Sequence, residues 1–265
     1  MNASLVLFER IGPAGVLTMN RPEKRNALSR ALVAELNSRL AEAVVDQAVR
    51  VVVLAANGPA FCAGLDLEET AQTLARPDAR ACVQQDARRL AELYRALACC
   101  TKPTIAEVSG PAIGGGAGLV TACDLALAAA EAKIGYPEVR RGIVPAIVTP
   151  LLLRVVPYRT AKCLFLTGNV VEAAEAVRLG LYNLVVPLAE LRQTVLRWAN
   201  RVAHGAPAAL TRTKEWLNHC AAARDGWTES ADESAAARFT PECAEGLAAF
   251  RERRDPNWTP TDGVD

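Results

Sequence analysis

Two apolar runs each break into a glycine-bearing turn, and this repeated punctuation constrains the chain more than any other feature. The first reads VVVLAA-NGPAFCAGLDL over residues 51 to 67, the second IAEVSG-PAIGGGAGL over 105 to 119. RVVVLAA at 50 to 56 is an almost unbroken β-branched run, the pattern of a strand covered on both faces in a parallel sheet. A parallel neighbour requires a crossover, and Ser29 to Val45 supplies one. There Leu32, Leu36, Leu40 and Val44 recur every fourth residue with Val33 beside them, giving a helix one apolar face. The unit recurs in a helical pattern at 80 to 98, a strand at 104 to 110, a helix start after Gly114 and a strand at 124 to 129. Ahead of it, SLVLF at 4 to 8 and AGVLTM at 14 to 19, around Gly12, Pro13 and Gly15, predict a hairpin. The first two-thirds is therefore α/β.

Beyond Pro187 the pattern turns helical at 188 to 203, 207 to 223, 228 to 239 and 241 to 253, with no convincing strand. All four tryptophans, Trp198, Trp216, Trp227 and Trp258, fall in this part, either as an intersubunit surface or packed on the core. The expected division is an α/β core at 1–190 and a helical oligomerisation region at 191–265.

Thirty basic side chains against 29 acidic, a net charge of +1, argue against nucleic acid as a partner, because phosphate-backbone affinity needs clustered, uncompensated Lys and Arg. The longest uncharged stretch, Val108 to Cys123, is too short for a bilayer and rich in Gly, so no membrane partner is expected. Glu9 and Arg10 interrupt the start where a secretory leader would be apolar, which predicts a cytoplasmic protein. The eight cysteines, Cys62, Cys82, Cys99, Cys100, Cys123, Cys163, Cys220 and Cys243, lack CxxC spacing and read as small buried thiols. His204 and His219 have no ligand pattern near them, which disfavours a metal site or a histidine-based triad.

Glycine admits positive φ and lets a ligand approach without meeting a Cβ, so turns of this kind can aim unpaired N–H groups at one acceptor. A helix beginning in the second turn would add its positive end. The competing reading is tight strand-to-helix packing. GGGAG lacks the GxGxxG register, and no Lys-Ser/Thr follows as a phosphate loop requires. Ser109 is not in a GxSxG elbow, and Cys62 has no base near it in sequence.

Taken in order, NRPEKRNALS (20 to 29), GPAFCAGLDL (58 to 67), SGPAIGGGAGLVTACDLALAA (109 to 129), GYPEVRRGIVP (135 to 145), LTG (166 to 168), EAVRLGLYNLVVP (175 to 187) and EGLAAFRERRDPNW (245 to 258) strongly resemble the crotonase superfamily, the enoyl-CoA hydratase/isomerase family. The resemblance spans nearly the whole chain. It implies a spiral of ββα units with a helical C-terminal region, assembled as a homotrimer or a dimer of trimers. It also implies an acyl-CoA substrate and no separate cofactor, since coenzyme A is part of the substrate.

Position by position, the resemblance puts two oxyanion-hole amides at Leu65 and Gly115, beside Gly114, to receive a thioester oxygen. It puts an acid/base carboxyl at Glu138 in Tyr136-Pro137-Glu138. The family's hydratases typically have a second glutamate in the helix after the glycine turn, and here Gly118 stands at that position. The gap is expected to hold ordered water or to enlarge the pocket for a branched acyl group. The segment VRRGIVPAIVTP resembles members assigned to branched-chain methylglutaconyl-CoA hydration. Coenzyme A is expected near Lys24, Arg25, Ala27, Ala63 and Asp66, with Arg253 of a neighbour as a further contact. Asp66 and Glu68 also suit capping of the helix after the first turn, and Asp124 resembles a structural aspartate. Hydration and double-bond migration both fit a single carboxylate. Thioester hydrolysis or decarboxylation and non-catalytic acyl-CoA binding are the alternatives, while the absence of aspartate at Ala146 disfavours a dehalogenase-like branch.

Overall fold

The computed structural model describes residues 4–221, 231–232, 234–236 and 238–254. The predicted hairpin is present, with β1 (Val6–Ile11) antiparallel to β2 (Ala14–Met19). β2 then pairs in parallel with β3 (Val51–Ala56), and β3 with β4 (Thr104–Val108). A second, three-stranded sheet begins at β5 (Ala112–Ile113), while β6 (Leu125–Ala129) continues the first beside β4. The smaller sheet is completed by β7 (Lys133–Gly135) and β8 (Val170–Glu172), and the larger by β9 (Leu184–Val186), in the order β1-β2-β3-β4-β6-β9. Four of these strands, β5, β7, β8 and β9, are only two or three residues long. Runs that short show no period, so the sequence pattern does not reveal them.

Burial on both faces of the large sheet follows from its alternation. On β3, Val52 and Leu54 face a cluster containing Leu32, Leu36 and Leu40 of α1 (Arg30–Val45) and Leu90, Tyr94 and Leu97 of α3 (Ala79–Ala98). Val51, Val53 and Ala55 face the other way, onto Leu191, Val195 and Ala199 of α8 (Leu188–Ala203). Both sides of one strand are thus dry, at about 1.5–3 kcal/mol for each large apolar side chain. Ser29 caps α1, its hydroxyl accepting the Leu32 N–H at 3.2 Å. The division expected at 190/191 falls inside α8, which supplies the sheet's second cover. Trp198 packs in that layer too, while Trp216 is exposed and Trp227 and Trp258 lie outside the described residues.

The sequence pattern marks a helix start after each glycine turn but assigns none between 149 and 178, where three further helices form. α2 (Leu67–Leu74) and α4 (Gly115–Ala122) each begin at one of the glycine turns. α5 (Thr149–Val155), α6 (Tyr158–Thr167) and α7 (Ala173–Arg178) lead to β9. After α8 come α9 (Pro207–Ala221) and α10 (Pro241–Glu252), and the pattern expected at 228 to 239 lies partly outside the described residues. Asp124 accepts from Thr104 N at 2.7 Å and pairs with Lys214 Nζ of α9 at 2.7 Å, so it ties helix to sheet. Among the described cysteines, Cys62, Cys100, Cys123 and Cys243 are buried but Cys99 and Cys163 are exposed, which corrects the expectation of buried thiols. Those two sit at the solvent side of α3's end and of α6, where apolar neighbours in sequence do not share their helix face. The His219 and Cys220 side chains lie outside what is described. No helix among the described residues is long and apolar enough to cross a membrane.

Candidate active site

The two glycine turns meet. Cys62 N–H donates to Pro111 O at 3.1 Å and Ile113 N–H returns to Cys62 O at 2.9 Å, which zips the turns together. Gly64 has φ +89°, and a Cβ built on it would come within 2.7 Å of Ile113 O and 3.4 Å of Gly115 N. Only glycine permits that approach. The amides of Leu65 and Gly115 are brought to one cavity, and neither has a hydrogen-bond acceptor among the described residues. For Gly115 the reason is general, because the first N–H groups of a helix have no partner within it.

Gly114, ahead of α4, adopts φ 55° and ψ −118°, a conformation that other residues adopt only under strain. Its missing Cβ also makes room for an acid. A Cβ there would lie 3.1 Å from Glu138 Oε1. Glu138 projects from a short 3-10 turn at Pro137–Arg141, closed by Gly142 in the left-handed region. Its Oε2 is enclosed and has no hydrogen-bond partner among the described residues. Burial pushes the carboxyl up to about 7, opposed only in part by its own backbone N–H and the charge of Arg141. Such a group exchanges a proton readily near neutrality.

A cavity of about 550 Å³ is lined by Lys24, Arg25, Ala27, Ala63, Leu65, Asp66, Gly114, Gly115 and Glu138. The outer part is charged, and two of its carboxylates are held in ion pairs. Lys24 Nζ lies 2.8 Å from Glu68, and Arg21 Nη1 lies 2.6 Å from Asp66. Asp66 also caps α2, accepting from Glu69 N at 3.1 Å. Burial raises its carboxyl, but Arg21 and the Glu69 N–H outweigh that and hold it below the ordinary carboxylate range. Asn26, fully buried at φ 54°, was not singled out in sequence. Its amide donates to Asn57 O and Ala60 O at 2.9 Å each and so clamps the Lys24–Ala27 loop to the first turn. Asn tolerates positive φ better than most residues, which is the one local signal it carries. Arg253 is exposed at the C-terminal end of α10, while Phe250 of that helix reaches the cavity wall.

The profile of the enoyl-CoA hydratase/isomerase family matches residues 12–261. An enoyl-CoA hydratase from Mycobacterium avium, known from a crystal structure, superposes with a TM-score of 0.86 and 36% identity, over 98% of this chain and 100% of that one. The short-chain-enoyl-CoA hydratase of Clostridium acetobutylicum is 34% identical across 82% of both proteins. A Thermus thermophilus protein whose name places it with the enoyl-CoA hydratases is 39% identical across 93% of this chain and 98% of its own. The chain belongs to the enoyl-CoA hydratase/isomerase family. It is a crotonase-fold enzyme with hydratase/isomerase activity on acyl-CoA.

Within this family fold, the inner end of the cavity departs from the expectation at one position. Gly118 does not line the cavity. A Cβ on it would meet Val148 Cγ1 at 2.6 Å and the Tyr94 ring and hydroxyl at 2.8 Å. The place expected to hold water or a branched acyl group is therefore filled by Tyr94 and Val148, and Gly118 is a packing residue. Tyr94 is fully buried and donates its hydroxyl to Gly115 O at 2.6 Å. Burial holds its phenol well above the usual range, so it keeps its proton. The inner cavity is walled by Leu65, Leu90, Tyr94, Gly115, Glu138, the segment Ile143–Val148, Ser234 and Arg238. Sequence reasoning missed Tyr94 and Arg238 because each reads there as an ordinary member of a helical pattern. Cys62, whose thiol donates to Asn26 O at 3.1 Å, is buried and pushed up to about 12, which leaves it unfit as a nucleophile.

Proposed function

We propose that this family member adds water across the C2–C3 double bond of a 2-enoyl-CoA thioester, with Glu138 as the single proton carrier. The observation that carries the reading is the Glu138 carboxyl held over Gly114, one oxygen unpartnered, beside two unpaired amides. Glu138 takes a proton from water as its oxygen bonds to C3. The π electrons move to C2 and on to the thioester oxygen, giving an enolate. The N–H groups of Leu65 and Gly115 receive that charge, each donor being worth about 2.7–4 kcal/mol in comparable sites. Glu138 then returns the proton to C2 as the enolate collapses.

A second reading has specific support. Glu138 is the only carboxyl among the described residues lining the inner cavity. One base suffices to carry a proton between C2 and C4 and so migrate a double bond. The CoA nucleotide would lie at the outer cavity near Lys24 and Arg25, with backbone contacts from Ala27, Ala63 and Asp66 and with Arg253 supplied by a neighbouring subunit. The proposal takes a cytoplasmic trimer or dimer of trimers and no cofactor beyond the CoA of the substrate.

Incubation of the pure protein with 2-butenoyl-CoA and with 3-hexenoyl-CoA tests the reading. A 3-hydroxyacyl product from the first supports hydration, whereas conversion of the second to its 2-enoyl isomer, with the first unchanged, assigns migration. Release of free CoA would instead mark thioester hydrolysis. Tight binding with no turnover of any ester overturns the enzymatic mechanism in favour of a binding protein.

A further inference from the structure

A donor kept free for substrate cannot be fixed by a hydrogen bond of its own, so the Gly115 N–H must be held through its neighbours. On its N-terminal side both main-chain groups of Gly114 are held, the N–H by Gly135 O at 2.8 Å and the carbonyl by the Gly118 N–H at 3.0 Å. The C-terminal side is loose by composition. Gly115, Gly116 and Gly118 stand in the first turn of α4, each a poor helix former, and no side chain caps that end. Packing forces these glycines. A Cβ on Gly116 would lie 2.3 Å from Cys62 O, and one on Gly118 2.6 Å from Val148 Cγ1. The turn that carries the donor therefore gains little order from its own residues.

Tyr94 supplies the missing order from outside. It sits in the 20-residue α3 with Leu93 and Leu97 buried on either side, and its own side chain is fully enclosed. From there the hydroxyl donates to Gly115 O at 2.6 Å. A helix carbonyl keeps a second lone pair after its own helical bond, so this tether does not compete with α4. The same hydroxyl stands 3.0 Å from where a Cβ on Gly115 would be, so it also walls the residue at its α-carbon. Its proton is committed to the carbonyl, and Tyr94 acts on the reaction through Gly115.

We propose that Tyr94 is a positioning residue for the oxyanion hole: its hydroxyl, bonded to Gly115 O, holds the Gly115 amide in the orientation that receives the thioester oxygen as the enolate forms. This rests on the acyl-CoA reading above and adds to it the residue that keeps one donor aimed.

Tyr94→Phe keeps the ring and removes only the hydroxyl. Its kcat on whichever enoyl-CoA the wild type turns over is expected to fall by about 10- to 100-fold, since a misaimed donor loses less than a deleted one. The Kd for the saturated butanoyl-CoA should stay within about threefold, because the loss is felt as charge develops. A merely structural tyrosine would lower the urea midpoint and leave kcat of the folded enzyme unchanged, which overturns the proposal. Infrared difference spectra of bound butanoyl-CoA, labelled at the thioester carbonyl, read the hole without turnover. The C=O band should move to lower frequency on wild type, polarised by the two amides, and lose part of that shift on Tyr94→Phe. An equal shift on both proteins overturns the proposal, and no shift on wild type removes the hole and the proposal together. Should Tyr94→Phe not fold, 4-aminophenylalanine and 4-fluorophenylalanine at position 94 replace it, both filling the hydroxyl's space and only the first donating. Higher kcat with the amino group supports the tether, and equal kcat overturns it. Should no ester turn over, the hydration and migration readings fail separately, and the carbonyl shift alone judges Tyr94.

Discussion

At its mouth the cavity is walled by backbone, and at its inner end by side chains. Gly64, Leu65, Gly114 and Gly115 present amides and empty Cβ positions from two short turns, each following a strand of one sheet. The inner end is closed by Tyr94 of α3, Val148 ahead of α5 and Arg238 ahead of α10, residues that chain folding brings together from far apart. A wall of main-chain groups serves any acyl-CoA, because every such ester brings the same carbonyl. A wall of side chains is where discrimination between acyl groups can reside.

The sharpest way to break this contrast lies where the two walls meet, at Glu138. Replacing it with Gln keeps the shape over Gly114 and removes the proton carrier, so kcat is expected to fall by about 10²–10⁴-fold while acyl-CoA binding persists. Stability should move the opposite way. Burial raises the folded-state carboxyl above its ordinary 4.5 to about 7, so the folded wild type holds its proton more tightly and loses stability as pH rises between those values. Urea unfolding should find Glu138→Gln more stable than wild type at pH 8, by on the order of 1–3 kcal/mol, and little different at pH 4. An equally active variant would remove Glu138 from the mechanism.

Gly114→Ala probes the backbone wall. The new methyl would sit at φ 55° and 3.1 Å from Glu138 Oε1, so the carboxyl must shift. A displacement near 1 Å is enough to lower kcat by about 10²-fold. Single-turnover measurement should show the loss in the chemical step with substrate affinity nearly kept. Next in size is the wild-type pH profile. If Glu138 must start as the carboxylate, kcat/KM falls about tenfold for each pH unit below its value of about 7. A profile flat down to pH 5 would mean another base.

These two walls were unequally legible in the sequence. Strand, turn and helix start are contiguous at residues 51 to 67 and 105 to 119, so their local pattern carries the geometry of the mouth. α1 was equally plain, since Leu32, Leu36 and Leu40 mark one face. The missing glutamate at Gly118 was legible too, but not what replaces it. Tyr94 sits in α3 where an apolar face predicts only burial, and nothing local tells that its hydroxyl reaches Gly115 O across 21 residues. Gly118→Ala measures that packing directly. With Val148 and Tyr94 already within 2.8 Å of the added methyl, it should destabilise the fold by about 1–3 kcal/mol. Were Gly118 facing open cavity, as expected from sequence, the same change would leave the urea midpoint untouched.

The smallest effect belongs to the rim of the mouth, where side chains do act but in water. Lys24 Nζ lies 2.8 Å from Glu68, both side chains largely exposed, and the hydrogen bond and charge of Glu68 keep the ammonium protonated. To meet a CoA phosphate it must exchange one anion for another, and the solvent between them screens both. Lys24→Ala should therefore raise KM for an acyl-CoA by only about two- to fivefold at low salt, with kcat unchanged and the difference shrinking as ionic strength rises. Glu68→Ala frees the same ammonium and should lower KM instead. If both variants shift KM in the same direction, the pair serves the loop's conformation, and the nucleotide lies elsewhere.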